Sequence, residues 1–213
     1  MSSDAVPGDD GKPRCPWAVS TEDYVAYHDG EWGRPLHGDD ALYERLCLEA
    51  FQSGLSWITI LRRREGFRKA FSGFRIAEVA AFTDADRERL LADPGIIRNR
   101  AKIDASLANA RELVGWEPGE LDALIWSYAP DHATRPAPRH ITDIPAVTPE
   151  STALAGELKR RGLRFVGPTT AYALMQACGL VDDHLADCFV RRTPGRTSGR
   201  TRGRTPGTAP AGG

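Results

Sequence analysis

Between residues 14 and 190 the apolar positions recur mostly three or four apart, and strand-like alternation is nearly absent. "DDALYERLCLEAFQS" (39–53) starts on an aspartate cap and carries its leucines at helical spacing. "SWITILRRREGFRKAF" (56–71) follows after a break near Gly54. "TDADRERLLAD" (83–93) pairs a threonine cap with an acid three residues on and halts before Pro94-Gly95. "IRNRAKIDASLANARELV" (97–114) is a long amphipathic run, and "TPESTALAGELKRRG" (148–162) opens on Thr-Pro and stops at Gly162. These segments predict an all-α fold, with the Pro-rich stretch 128–149 as a loop between helices. "YVAYHDGEWGRP" (24–35) fits neither a plain amphipathic helix nor a strand, yet it is dense in rings and polar tips.

The two ends read differently from the body. Residues 1–13 are rich in Gly, Pro and Asp, and residues 191–213 repeat a T-x-G-R pattern with nothing apolar to bury; both are expected to be disordered. That leaves 14–190 as one domain, long enough for a real core. The composition, 41% hydrophobic and 27% charged, is that of an ordinary water-soluble domain. No apolar stretch reaches the length of a membrane span and the N-terminus has no secretory pattern, so the expected location is the cytoplasm. The net charge of −1 includes six tail arginines, so the rest of the chain carries −7. Such a body is no non-specific nucleic-acid binder by bulk charge, although basic clusters stand at 62–69, 98–102 and 159–164.

Three constellations carry chemistry. In "GLRFVGPTTAYALMQACG" (162–179) one helix ends at Gly162 and another opens at Gly167-Pro168. A hairpin of this kind offers unpaired backbone N–H groups to a phosphate, with Arg164 close by; an ordinary αα-hairpin is the plainer reading. In "HLADC" His184 and Cys188 stand four apart, on one face of a helix if the segment is helical, and Cys15 and His28 would complete a two-thiolate, two-imidazole set suited to tetrahedral zinc. Four protein ligands would make that zinc structural; buried thiols among unrelated histidines are the alternative. His37, His132 and His140 have no cysteine at comparable spacing and read as surface or loop residues. In "LEAFQSGLSW" (48–57) Glu49 falls on the apolar stripe, where a carboxylate must be paired, protonated or used. Arg45, one turn earlier, could pair with it, and Trp57 opens the next helix.

Together these residues resemble the 3-methyladenine DNA glycosylase I family, a branch of the helix–hairpin–helix DNA glycosylases. The likeness runs through "RCPW" (14–17), "YVAYHDGEWG" (24–33), "LCLEAFQSGLSWITIL" (46–61), "GIIRNRAKI" (95–103) and "RFVGPTTAYALMQACGLVDDH" (164–184) to Cys188, nearly all of the chain except its tails. The resemblance implies a mixed-helical fold with a zinc site on Cys15, His28, His184 and Cys188 joining the N- and C-terminal segments. It implies a base pocket on Glu49, Tyr27 and Trp57, walled by Trp17, Tyr24 and Trp32. It also implies monofunctional hydrolysis that releases 3-methyladenine from double-stranded DNA by base flipping, by a chain acting as a monomer. On this reading Glu49 is the catalytic carboxylate, backbone amides around Gly167 grip a phosphate beside Arg164, and Leu55 is a wedge or else a helix–helix contact. Asp182 in "VDDH" is expected to cap a helix rather than take part in chemistry. The alternative to an enzyme is a non-catalytic, zinc-stabilised DNA-binding module.

Overall fold

The computed structural model describes residues 3–131 and 135–191. Nine α-helices make up most of them: α1 (Glu22–Gly30), α2 (Asp39–Gln52), α3 (Trp57–Ala70), α4 (Ile76–Ala80), α5 (Asp84–Ala92), α6 (Arg100–Leu113), α7 (Glu120–Trp126), α8 (Pro149–Arg160) and α9 (Pro168–Ala177). Short 3-10 turns cover Pro16–Ser20, Ser72–Phe74 and Ile141–Asp143. The architecture is therefore mostly helical, as the hydrophobic spacing predicts.

Helix α2 is central because every residue from Leu42 to Phe51 except Glu44 is buried. Leu42, Tyr43, Leu46, Cys47, Leu48 and Phe51 are all buried, against α3, α6, α7 and α9. Each such side chain contributes about 1.5–3 kcal/mol by leaving water. Phe51 continues into an aromatic stack with Phe67, Phe71 and Phe74. The caps lie where the sequence puts them: Thr83 and Thr148 close capping boxes, and Pro149 and Pro168 occupy first-turn positions. Helix α6 starts three residues later than the run of spacing suggests, because the Asn99 side chain caps it by accepting from Lys102 N at 3.1 Å.

Four expectations are corrected. The stretch 24–35 begins as a helix after all. Thr21 is extended and its hydroxyl accepts from Tyr24 N at 3.2 Å, while Glu22 and Asp23 favour the positive end of α1. Its buried residues, Tyr27 and His28, face two different sites, so no single apolar stripe marks it.

Residues 3–13, read as disordered, are tied down instead. Strand β1 (Val6–Pro7) pairs antiparallel with β2 (Pro13–Arg14) around a Gly8–Gly11 turn. Asp4 bonds His140 Nδ1 at 2.9 Å and Ile141 N at 3.0 Å, and Arg14 holds Asp10 at 2.6 Å and stacks on Phe189. Docking against the body supplies the order that the hairpin's own composition lacks.

Finally, residues 181–190 run through turns rather than a helix, so Asp182 caps a turn: its carboxylate accepts from His184 N at 3.3 Å. Arg191, expected to start the tail, belongs to the body, where it donates to the Asp182 and His184 carbonyls. Residues 192–213 and His132 lie outside the described residues.

Two glycines let this terminal segment close on the start of the chain. A Cβ at Gly33, which has φ +74°, would sit 2.9 Å from His184 Nε2. One at Gly179, with φ +75°, would come within 2.8 Å of the Gly33 and Arg34 carbonyls.

Candidate functional site

A cleft of about 360 Å³ opens between the Pro16–Ser20 turn, α1, the end of α2, the start of α3 and α9. That is at the small end of ligand pockets, about 300–1,000 Å³. Five rings border it: Trp17, Tyr24, Tyr27, Trp32 and Trp57. Trp17 sits edge-on to Tyr24 at 5.5 Å and to Trp32 at 5.1 Å, and Tyr27 lies tilted on Trp57 at 5.4 Å between centroids. Tyr24 Oη accepts from Ile58 N at 3.0 Å, so the phenol supplies the cap that α3 lacks from Ser56 and ties α1 to α3. The indole N–H of Trp57 is buried without a hydrogen-bond partner among the described residues. A buried donor left so costs about 1–3 kcal/mol.

Glu49 is the cleft's acid. It is 5% exposed and makes no hydrogen bond or ion pair among the described residues. Burial pushes its carboxyl up to about 7, with the Arg45 charge opposing the rise. The intrahelical pair with Arg45, open from sequence, is not made: the Arg45 guanidinium turns to Glu31 and to Tyr27 Oη. Of the three fates for a buried carboxylate, pairing is thus excluded among the described residues. Gln52, one turn after Glu49, and Gln176 of α9 also reach the cleft. Helical spacing from Glu49 could have nominated Gln52; Gln176 has no local signal.

Beside the cleft lies a second cluster. The donor atoms of Cys15, His28, His184 and Cys188 all lie within 4.8 Å of one another, and all four residues are buried. His184 Nδ1 is 3.1 Å from His28 Nε2 and 3.9 Å from Cys15 Sγ; Cys188 Sγ is 3.4 Å from His28 Nε2. The outer nitrogens are already held. His28 Nδ1 donates to Asp29 at 2.8 Å, and His184 Nε2 donates to the Trp32 carbonyl at 3.1 Å. Arg14 braces Asp29 in turn through Nη2 at 2.7 Å. The neighbouring Cys15 thiol pulls the Cys188 thiol far below its usual range, against the opposing effect of burial. This is a set of four convergent donors that could hold a metal ion. Trp17 stands 5.2 Å from the His28 ring and borders the cleft as well, so the two sites share a wall.

On the outer side, the α8–α9 hairpin has the predicted geometry. Gly167 precedes Pro168, and no side chain caps α9. Asn109 of α6 grips Arg164 from both sides, its oxygen accepting from Arg164 N at 2.7 Å and its amide donating to the carbonyl at 3.1 Å. Phe165, at the tip, is exposed and carries φ +60°. Leu55 is 42% exposed on the α2–α3 turn, which excludes a buried helix–helix contact. Lys102 anchors that turn by donating to the carbonyls of Phe51 (2.8 Å) and Ser53 (2.5 Å). Asn109 and Lys102 escape sequence reading because both bond backbone atoms distant in the chain.

The other candidates are engaged elsewhere. Asp183 accepts from Tyr172 at 2.5 Å, Arg135 at 2.8 Å and Gln176 at 2.9 Å, and neither it nor Asp182 borders the cleft. Arg62 pairs with Asp23, and Arg160 and Arg161 with Glu157, so the basic clusters are partly neutralised by the acidic body. His37 pairs with Asp122 on the surface and stacks on Trp126.

Residues 17–192 match the family model described as methyladenine glycosylase. Among characterised relatives, DNA-3-methyladenine glycosylase 1 of Escherichia coli is 45% identical over 177 residues, 82% of this chain and 95% of that protein. DNA-3-methyladenine glycosylase of Haemophilus influenzae is 43% identical, over 82% of this chain and 96% of its own. A crystal structure of 3-methyladenine DNA glycosylase I superposes with TM-score 0.78 at 44% identity, over 84% of this chain and 100% of the other. The Staphylococcus aureus enzyme, solved to explain 3-methyladenine recognition, does so at TM-score 0.76 and 33% identity, over 84% and 97%.

Proposed function

The chain belongs to the methyladenine glycosylase family, and from that membership we infer that it excises 3-methyladenine from alkylated DNA in base-excision repair. The observation that carries this reading is a ring-lined cleft whose single acid, Glu49, is buried and has no partner among the described residues. A non-catalytic DNA-binding module has no need of such a carboxylate, whose burial costs stability.

Methylation at N3 gives adenine a positive charge. A planar cation gains about 0.5–2 kcal/mol from each favourable ring face, here Tyr27, Trp57 and the Trp17–Tyr24–Trp32 wall. Ionised Glu49 accepts from the exocyclic amine and attracts the ring's charge, while Tyr27 adds a directional hydrogen bond. Neutral adenine gains less from each contact, so charge selects the lesion. As the glycosidic bond breaks, its electron pair goes to the base and cancels the positive charge. The sugar is left as an oxocarbenium ion, to which water adds, releasing a proton. No strong general acid is needed for a leaving group already activated in this way.

The donor set supports zinc. A tetrahedral ion with Zn–N near 2.0–2.1 Å and Zn–S near 2.3 Å requires ligand separations of about 3.3–3.8 Å. The cluster's close pairs span 3.1 to 3.9 Å, and held outer nitrogens are what a metal-ligating histidine needs. Cys15, His28, His184 and Cys188 would fill all four positions, so the ion would supply a cross-link between the chain's two ends and no reactive water. On the outside, the amides opening α9 at Gly167, with Arg164 beside them, would hold a phosphate of the double-stranded DNA. Leu55 would fill the gap left by the flipped nucleotide.

The test is release of free base from methylated duplex by the purified chain, with unmethylated duplex as control. Release of 3-methyladenine is expected. Tight duplex binding without release would leave only the binding module.

A further inference from the structure

Arg45 lies outside the cleft lining, yet it stands against two of the cleft's rings, Tyr27 and Trp57. It is 5% exposed on α2, one turn before Glu49. Its Nη1 is 3.3 Å from Tyr27 Oη, and its guanidinium carbon is 5.8 Å from the ring centroids of both Tyr27 and Trp57. Nη2 is fixed by Glu31, whose same oxygen also takes Arg64 Nη1 at 2.5 Å.

A guanidinium has only donors, so Tyr27 oxygen must accept from it, and the single phenolic proton points elsewhere. Glu31 already has Arg64, so a second buried cation is more than that carboxylate requires. Among the charged groups about Glu49, Arg45 is its neighbour on α2, Glu31 stands beyond Arg45 at the end of α1, and Arg64 faces Glu31 from α3. The titratable neighbours Tyr27 of α1 and Cys178 after α9 are both held in their neutral forms by burial.

We propose that Arg45 is a positioning residue of this pocket: it occupies the acceptor side of Tyr27, leaving the phenolic proton for the ligand, and its charge favours the anionic form of Glu49. The inference rests on the glycosylase reading for its purpose, but its physical content does not need a substrate. The direction of the Arg45 effect on the Glu49 carboxyl agrees with it.

The experiment follows Glu49 by carboxyl carbon NMR during a pH titration of full-length, metal-loaded protein, beside the pH profile of single-turnover base release. Three proteins are compared: wild type, R45M and E31Q. In R45M the Glu49 midpoint rises by about one unit or more, release at neutral pH falls about tenfold, and alkaline pH restores part of it. In E31Q, which removes an opposing negative charge, the midpoint moves down. A fold merely loosened by mutation does not produce shifts of opposite sign. A Glu49 midpoint unchanged in R45M overturns the proposal, as does an E31Q midpoint that rises. If R45M fails to fold, R45Q, which keeps a donor toward Tyr27 but removes the charge, takes its place under the same criterion. Absence of base release by wild type would overturn the functional reading while the NMR titration still judges Arg45.

Discussion

At the scale of single residues the cleft is organised around one costly carboxylate. Folding raises the Glu49 carboxyl from 4.5 to about 7, so the folded chain binds a proton that the unfolded chain releases. The ionised side chain therefore opposes folding by an amount that grows as pH rises from 4.5 toward 7 and is constant above, up to about 3 kcal/mol. Glu49→Gln should then raise the melting temperature at pH 8, with the gain shrinking toward pH 5, while base release drops about a hundredfold or more. Calorimetry and the release assay on one preparation check both halves; a variant that is less stable at pH 8, or fully active, contradicts the role. For wild type, kcat/KM for release should rise through about pH 7 as the acid ionises. Much of this site was legible in the sequence, because Glu49 and Trp57 stand on predicted helices and the rings crowd one short stretch. Arg45 was legible as a neighbour but not as a partner: helical spacing offers it Glu49, and only the tertiary position of Glu31 draws it away.

At the scale of elements, the parts proposed to face DNA are small turns fixed from behind. Asn109 on α6 clamps the hairpin backbone at Arg164, and Lys102 on the same helix clamps the α2–α3 turn that carries Leu55. One helix thus sets the spacing between the proposed phosphate grip and the proposed wedge. Asn109→Ala leaves the Arg164 backbone unpaired, at a cost of about 1–3 kcal/mol. Weaker binding to duplex is expected with unchanged affinity for free 3-methyladenine, measured by titrating each separately. Equal loss for both ligands would show the clamp to be general scaffolding. The long helices were readable from caps and spacing, since Thr83, Thr148 and Pro168 are local signals. Helix α1 and the β1–β2 hairpin were not. The first divides its buried face between two sites, and the second is ordered by contacts with Arg139, His140 and Phe189, more than a hundred residues away.

At the scale of the whole molecule, the proposed function leaves duplex affinity to local contacts on an acidic body, and the proposed zinc would make the Cys/His cluster a determinant of stability. Cys188→Ala should lose bound zinc, read by metal analysis of the purified protein, and should melt at lower temperature, with the cleft altered only through Trp17 and Trp32. Retained stoichiometric zinc would remove Cys188 from the ligand set. The cluster joins residue 15 to residue 188, so with its ion in place nearly the entire fold lies inside one closed loop. An unfolded chain pinned at those points forfeits conformational freedom much as a long disulfide loop does, about 5 kcal/mol on the chain-entropy account. Its durability would thus depend on how tightly the ion is held as much as on its core, and a strong chelator should convert a slow unfolder into a fast one.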